Sequence, residues 1–286
     1  MFNRILKLLR QPRRRRAAPL AFVATLAVVS SLTVAVAATP AWSDTSKTPK
    51  PTIVLVHGAW ADGSSWSGVA KRLQQQGYPV RVPPVTLRSL AGDSSNLAQF
   101  LSTIDGPIVL VGHSYGGGVI TNMAPDPDVK ALVYVDAFVP AQGEVLGDLP
   151  GPDSALAVAD PTTIFDFVPY TGGPPGDVEI YLKKDIFRTA FASDLPEHRA
   201  DVLWASQRPI TASALHEPAG VPAWQSVPSW YALGTRDMII PPSAQQAMAD
   251  RAGSTVVRVR AGHLSPVSRP GAVTDVIEEA ARGTAQ

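Results

Sequence analysis

The segment Ile108-Val109-Leu110-Val111-Gly112-His113-Ser114-Tyr115-Gly116 joins an apolar, β-branched run to a glycine-rich stretch. Residues 108–111 read as a buried strand and residues from 115 to about 123 as a helix, so the pattern G-x-S-x-G falls on the turn between them. A serine in such a turn sits on a tight, strained backbone. Its flanking glycines let strand and helix approach closely enough to expose the hydroxyl. Ser114 is therefore the candidate nucleophile.

Working outward, strands and helices alternate. On the N-terminal side, residues 52–56 form a short apolar run suited to a strand buried on both faces. Residues 65–76 have helical spacing at Trp66, Val69, Ala70 and Leu73 and end at Gly77. A strand near 80–82 and a helix near 94–104 follow, and beyond the serine a strand is expected at 131–135. The rhythm returns late, with strands at 229–233 and 255–259 and helices near 243–252 and 273–281. Parallel neighbours need crossover connections, so this alternation predicts an α/β fold with a mainly parallel sheet flanked by helices. Residues 52–137 and 227–286 form its core. Residues 138–226 lose the pattern and gather Pro, Gly and aromatic residues, and read as an inserted, mainly helical cap.

A hydroxyl at neutral pH is a poor nucleophile and needs a base, itself oriented by a third group. Among five histidines, His263 follows the last strand in Ala261-Gly262-His263-Leu264-Ser265, where a loop at the carboxyl end of the sheet reaches Ser114. His57 ends the first strand, His113 lies inside the turn with its side chain directed elsewhere, and His198 and His216 fall in the cap. For the acid, Asp237 stands just past the strand at 229–233. Asp136, at the end of the strand before the cap, is the alternative acid. Charge developing on a substrate oxygen calls for backbone N–H donors, expected from Tyr115 and, in the turn His57-Gly58-Ala59-Trp60, from Ala59.

These motifs, together with Val135-Asp136-Ala137-Phe138-Val139-Pro140, Gly234-Thr235-Arg236-Asp237 and Ile240-Pro241, make the chain resemble an α/β-hydrolase of the branch that includes plant methylesterases, hydroxynitrile lyases and small bacterial carboxylesterases. The resemblance runs from about residue 52 to 281. It implies a triad of Ser114, Asp237 and His263, an oxyanion hole from Ala59 and Tyr115, a helical cap over the pocket, and a sheet that starts at the fold's third strand. It implies a serine esterase acting on a small-molecule ester, with no cofactor and no metal. Hydroxynitrile lyases of this branch carry a lysine directly after the catalytic histidine, where this chain has Leu264. Dehalogenases of the wider fold use an aspartate nucleophile, where this chain has Ser114. A perhydrolase-type activity and a non-turnover small-molecule sensor are the alternative readings.

The 286 residues, 45% of them hydrophobic, suffice for a substantial core. Residues 1–43 hold seven of the 25 Lys and Arg and none of the 24 acids, which leaves the remainder near −6. That balance gives no reason to expect nucleic acid as a partner. The basic start and the apolar run near 20–38 read as an export signal, cleaved after Ala37 or Ser43, with residues 44–51 as a linker. The mature protein is then secreted or extracytoplasmic. An uncleaved segment anchoring it to the membrane is the alternative. With no cysteine in the chain, disulfides and thiolate ligands are excluded.

Overall fold

A computed structural model describes residues 50–283. The export segment and most of the linker lie outside the described residues.

Thr52–Val56 (β1) pairs in parallel with Val80–Arg81 (β2) on one side and with Ile108–His113 (β3) on the other. Val129–Val135 (β4), Ser229–Gly234 (β8) and Thr255–Val259 (β9) continue the sheet in the order β2-β1-β3-β4-β8-β9, every pair parallel. Because side chains alternate along a strand, the sheet divides the core in two. Val54, Val56, Leu110, Leu132, Tyr134, Tyr231 and Leu233 face one side. They pack with residues of Leu90–Leu101 (α2), Tyr115–Thr121 (α3) and the cap. Ile53, Leu55, Val109, Val111, Val133 and Ala232 face the other, against Ser67–Gln75 (α1) and Pro270–Gly283 (α8). Pro242–Arg251 (α7) connects β8 to β9. Since all strands run the same way, Ser114, Asp136, Asp237 and His263 all follow the carboxyl ends of four adjacent strands. That is the edge where open α/β sheets place their ligands.

Two differences from the sequence reading have physical causes. Helix α2 begins at Leu90, earlier than its apolar spacing indicates. Its first amides are satisfied by Ser89 Oγ, which accepts from Gly92 N at 3.1 Å, and by Glu217, which accepts from Leu90 N at 2.6 Å. Glu217 lies 127 residues away, so local sequence gives no hint of it. In the cap interval helical turns outnumber strands, yet Phe165–Pro169 (β5), Val178–Leu182 (β6) and Ile210–Thr211 (β7) form an antiparallel sheet that periodicity did not signal. The rest of the interval holds Lys184–Ile186 (α4), a π-turn over Phe187–Phe191, Glu197–Ala205 (α5) and Ala212–His216 (α6).

Helix α3 approaches β1 closely. A Cβ on Gly116 would lie 2.5 Å from the Val56 carbonyl oxygen and 2.8 Å from that of His57. Both are backbone atoms that a rotamer change cannot clear. We expect Gly116→Ala to lower the unfolding free energy by about 1–3 kcal/mol, as overpacking does, measured by urea denaturation. A neutral result would contradict this packing.

Candidate active site

Ser114 lies at the junction of β3 and α3 with φ 53° and ψ −122°, a conformation that residues with a Cβ rarely adopt. Three backbone bonds hold it there. Its N–H donates to Val135 O at 3.3 Å, and its carbonyl accepts from Gly117 N at 2.9 Å and Phe138 N at 3.2 Å. The turn after β1 lies directly against it, for a Cβ on Gly58 would fall 2.7 Å from Ser114 Cβ.

The serine Oγ is 2.9 Å from His263 Nε2, and His263 Nδ1 is 2.8 Å from Asp237 Oδ2. The histidine and the aspartate side chains are wholly buried. An ionised carboxylate only accepts, so the Nδ1 nitrogen carries the proton and Nε2 presents its lone pair to the serine hydroxyl. The structure thus brings Ser114, Asp237 and His263 into one hydrogen-bonded line.

Asp136 is close but outside that line. It is buried with φ 45°, and its Oδ2 accepts from Ser265 N at 3.3 Å. Its Oδ1 has no partner among the described residues. Asp237, by contrast, is ringed by donors: Ile239 N at 2.8 Å and Ile240 N at 3.0 Å on Oδ1, with Gln245 Nε2 at 2.8 Å on Oδ2 beside the imidazole. Burial pushes both carboxyls upward. The Ile240 and Ile239 amides pull Asp237 back toward ionisation, while the nearby Asp237 drives Asp136 further up. Two buried carboxyls this close do not both ionise. Three amide N–H groups converge on Asp237 and a single long one on Asp136, so Asp237 holds the charge and Asp136 the proton.

No motif in the sequence marks Gln245. Its side chain also accepts from Gly234 N at 3.1 Å and donates to Ile240 O at 2.7 Å, tying α7 to the loop that presents Asp237. His113 does point away from the serine, as expected, and it has a task. Its ring Nε2 meets the His263 carbonyl oxygen at 2.8 Å and braces the histidine loop. His57 is likewise internal, with Nδ1 on Gly58 O at 2.9 Å and Nε2 receiving Val85 N at 3.0 Å. His198 is exposed on α5, away from the serine's cavity lining.

Beside Ser114 opens a cavity of about 360 Å³. Trp60, Phe138, Leu156, Phe165, Leu215 and Ile239 supply most of its apolar wall, His216 lines it as well, and no charged side chain does among the described residues. The Ala59 and Tyr115 residues border it, and neither backbone N–H bonds to a protein acceptor among the described residues. Trp60 connects this wall to the cap. Its Nε1 donates to Ile180 O at 2.9 Å, and its ring stacks on Phe165 with centroids 5.9 Å apart.

Burial lowers the imidazoles of His57, His113 and His263, the last two to about 3. From pH 6.5 down to those values the unfolded chain binds protons that the folded one refuses, so stability falls as pH falls. His113 and His263 each contribute about 1.4 kcal/mol per pH unit in that window, and His57 acts in the same direction. Asp136 works in the opposite sense, being protonated when folded and ionised when unfolded above about pH 4. The protein is expected to be less stable at pH 5 than at pH 7, read by urea denaturation at the two pH values. Equal stability at both would refute neutral burial of these rings.

Comparison with known proteins agrees with this architecture. The chain is 38% identical over 107 residues to a carbendazim hydrolyzing esterase of Nocardioides sp. (strain SG-4G), a match covering 32% of this chain and 44% of that one. This match thus spans less than half the length of that relative. It is 28% identical over 218 residues to Methylesterase 18 of Arabidopsis thaliana, covering 68% of this chain and 82% of the relative. Among solved structures, polyneuridine aldehyde esterase superposes with a TM-score of 0.68 at 18% identity, over 80% of this chain and 98% of that one. The model of the alpha/beta hydrolase family matches residues 53–276. With that match over most of its length and the parallel sheet beneath it, the chain belongs to the alpha/beta hydrolase family.

Proposed function

We propose that this protein is a serine hydrolase that cleaves a carboxylic ester through an acyl-enzyme. The observation that carries the reading is the buried line from Ser114 Oγ through His263 to Asp237, with distances of 2.9 and 2.8 Å, opening on an apolar cavity. Two of the similar proteins are esterases by name.

In this mechanism Ser114 Oγ attacks the ester carbonyl carbon while its proton passes to His263 Nε2. The carbonyl oxygen becomes an oxyanion facing the Ala59 and Tyr115 amides. Collapse breaks the bond to the alcohol, which leaves with the proton from Nε2. Water, deprotonated by the same nitrogen, then attacks the acyl-enzyme, and the proton returns to Ser114 as the acid departs. Asp237 keeps the imidazole oriented and stabilises its cationic form.

Among the described residues no charged side chain lines the cavity, which favours a neutral ester with an apolar group of matching size. Leu264, buried beside His263, places an aliphatic group where a lyase of the branch would need an ammonium. The export reading of residues 1–43 belongs to the same proposal. N-terminal sequencing of the protein recovered outside the cytoplasm checks it, with a start at residue 38 or 44 expected.

A fluorophosphonate probe is expected to label Ser114 in the folded protein, and failure to label would sink the assignment. Ser114→Ala should lower kcat for p-nitrophenyl acetate by about 10³-fold or more while leaving Tm nearly unchanged. Multiple turnover by the parent protein separates an enzyme from a sensor, which would stop after one equivalent.

A further inference from the structure

The cap does more than wall the cavity, because one short stretch of it grips the histidine. Phe191 closes the π-turn, and its ring lies 5.2 Å from the His263 ring, tilted by 51°. Three residues on, Asp194 Oδ2 accepts from Gly262 N at 3.0 Å, one residue before the histidine. The fit at this point is close. A Cβ on Gly262 would fall 2.8 Å from Ser193 Oγ and 3.3 Å from Asp194 Oδ1. Asp194 Oδ1 itself is sealed from solvent and has no partner among the described residues. A buried carboxylate oxygen without a hydrogen bond calls for a reason in its surroundings.

We propose that Asp194 is a positioning residue for His263: reaching from the cap, its carboxylate fixes the Gly262 amide and so the histidine loop, and its charge stabilises the imidazolium formed during proton transfer. This inference rests on the hydrolase reading. The groups facing His263 from each packed element are few. Asp237 comes from the loop after β8, His113 and Ser114 from the turn after β3, and Asp194 with Phe191 from the cap, while Asp136, at the end of β4, reaches the same loop at Ser265 N. Asp237 is saturated by donors, Asp136 carries a proton, and His113 is buried and neutral. Asp194 is thus the second negative charge available to the ring, and its field raises the imidazole against the effect of burial.

The geometry also couples cap and chemistry. Gly262 and His263 are adjacent, so a shift of the 191–194 stretch moves the Nε2 atom relative to Ser114 Oγ. Displacements of an ångström at a reacting pair can slow a reaction about 10²-fold.

Two variants separate shape from charge. Asp194→Asn keeps the outline and an oxygen to accept the Gly262 N–H but removes the charge; Asp194→Ala removes both. For Asp194→Asn, the acid limb of kcat/KM on p-nitrophenyl acetate should move down by about half a pH unit or more, because a nearby anion no longer favours the protonated ring. For Asp194→Ala, kcat should fall about tenfold or more with KM within about twofold, and the fluorophosphonate labelling rate should fall with it. Tm and circular dichroism verify that each variant is folded, and either variant alone suffices if the other fails to fold. An Asp194→Asn profile superimposed on the parent's, or an Asp194→Ala kcat within twofold of it, overturns the proposal. A parent protein that neither labels nor turns over an ester would instead defeat the hydrolase reading, so the two failures are distinguishable.

Discussion

The left-handed backbone of Ser114 is the constraint on which the site depends. A side chain at φ 53° is unfavourable by itself, and it persists because the turn is held at both ends. The strand side is registered by β3 pairing with β1 over residues 108–112 and with β4 over 109–113, and the helix side is pressed onto β1 at Gly116. Release either side and the hydroxyl drops out of line with His263. The glycines at 58 and 116 are therefore spaces that the architecture requires, since any Cβ there meets backbone or the serine itself.

Around this turn the protein sorts two buried carboxyls by the donors they receive. Asp136 and Asp237 follow neighbouring strands, both inaccessible to water, and an isolated carboxylate in such a place is strongly disfavoured. Asp237 is supplied with two backbone amides and the Gln245 amide in addition to the imidazole, whereas Asp136 receives one long bond from Ser265. Charge collects where the hydrogen bonds are. The difference lies in the loop after β8, which turns back so that Ile239 and Ile240 point their N–H groups at the carboxylate.

The cap meets the sheet through polar and aromatic contacts that converge on the same region. Glu217 caps α2, Trp60 bonds to β6, and Phe191 and Asp194 reach the histidine loop. Each links a residue of the α/β core to one far along the chain. Cavity shape and histidine placement therefore depend on one shared set of contacts, and a change in the cap that alters the cavity also bears on the base.

From residue identity alone, the alternating elements, their parallel arrangement and the chain positions of Ser114, Asp237 and His263 could all be read. Apolar periodicity and the G-x-S-x-G spacing are local properties that any sheet of this kind must satisfy. Tertiary structure decided what local pattern does not encode. It selected Asp237 over Asp136 as the partner of His263, gave His113 and Gln245 their bracing bonds, started α2 at Leu90 and built an antiparallel sheet into the cap. The bonds that assemble the triad join residues 26 and 149 positions apart and leave no period or spacing in the sequence to reveal them, and even the short-range bonds of Gln245 depend on how the loop after β8 folds back onto α7.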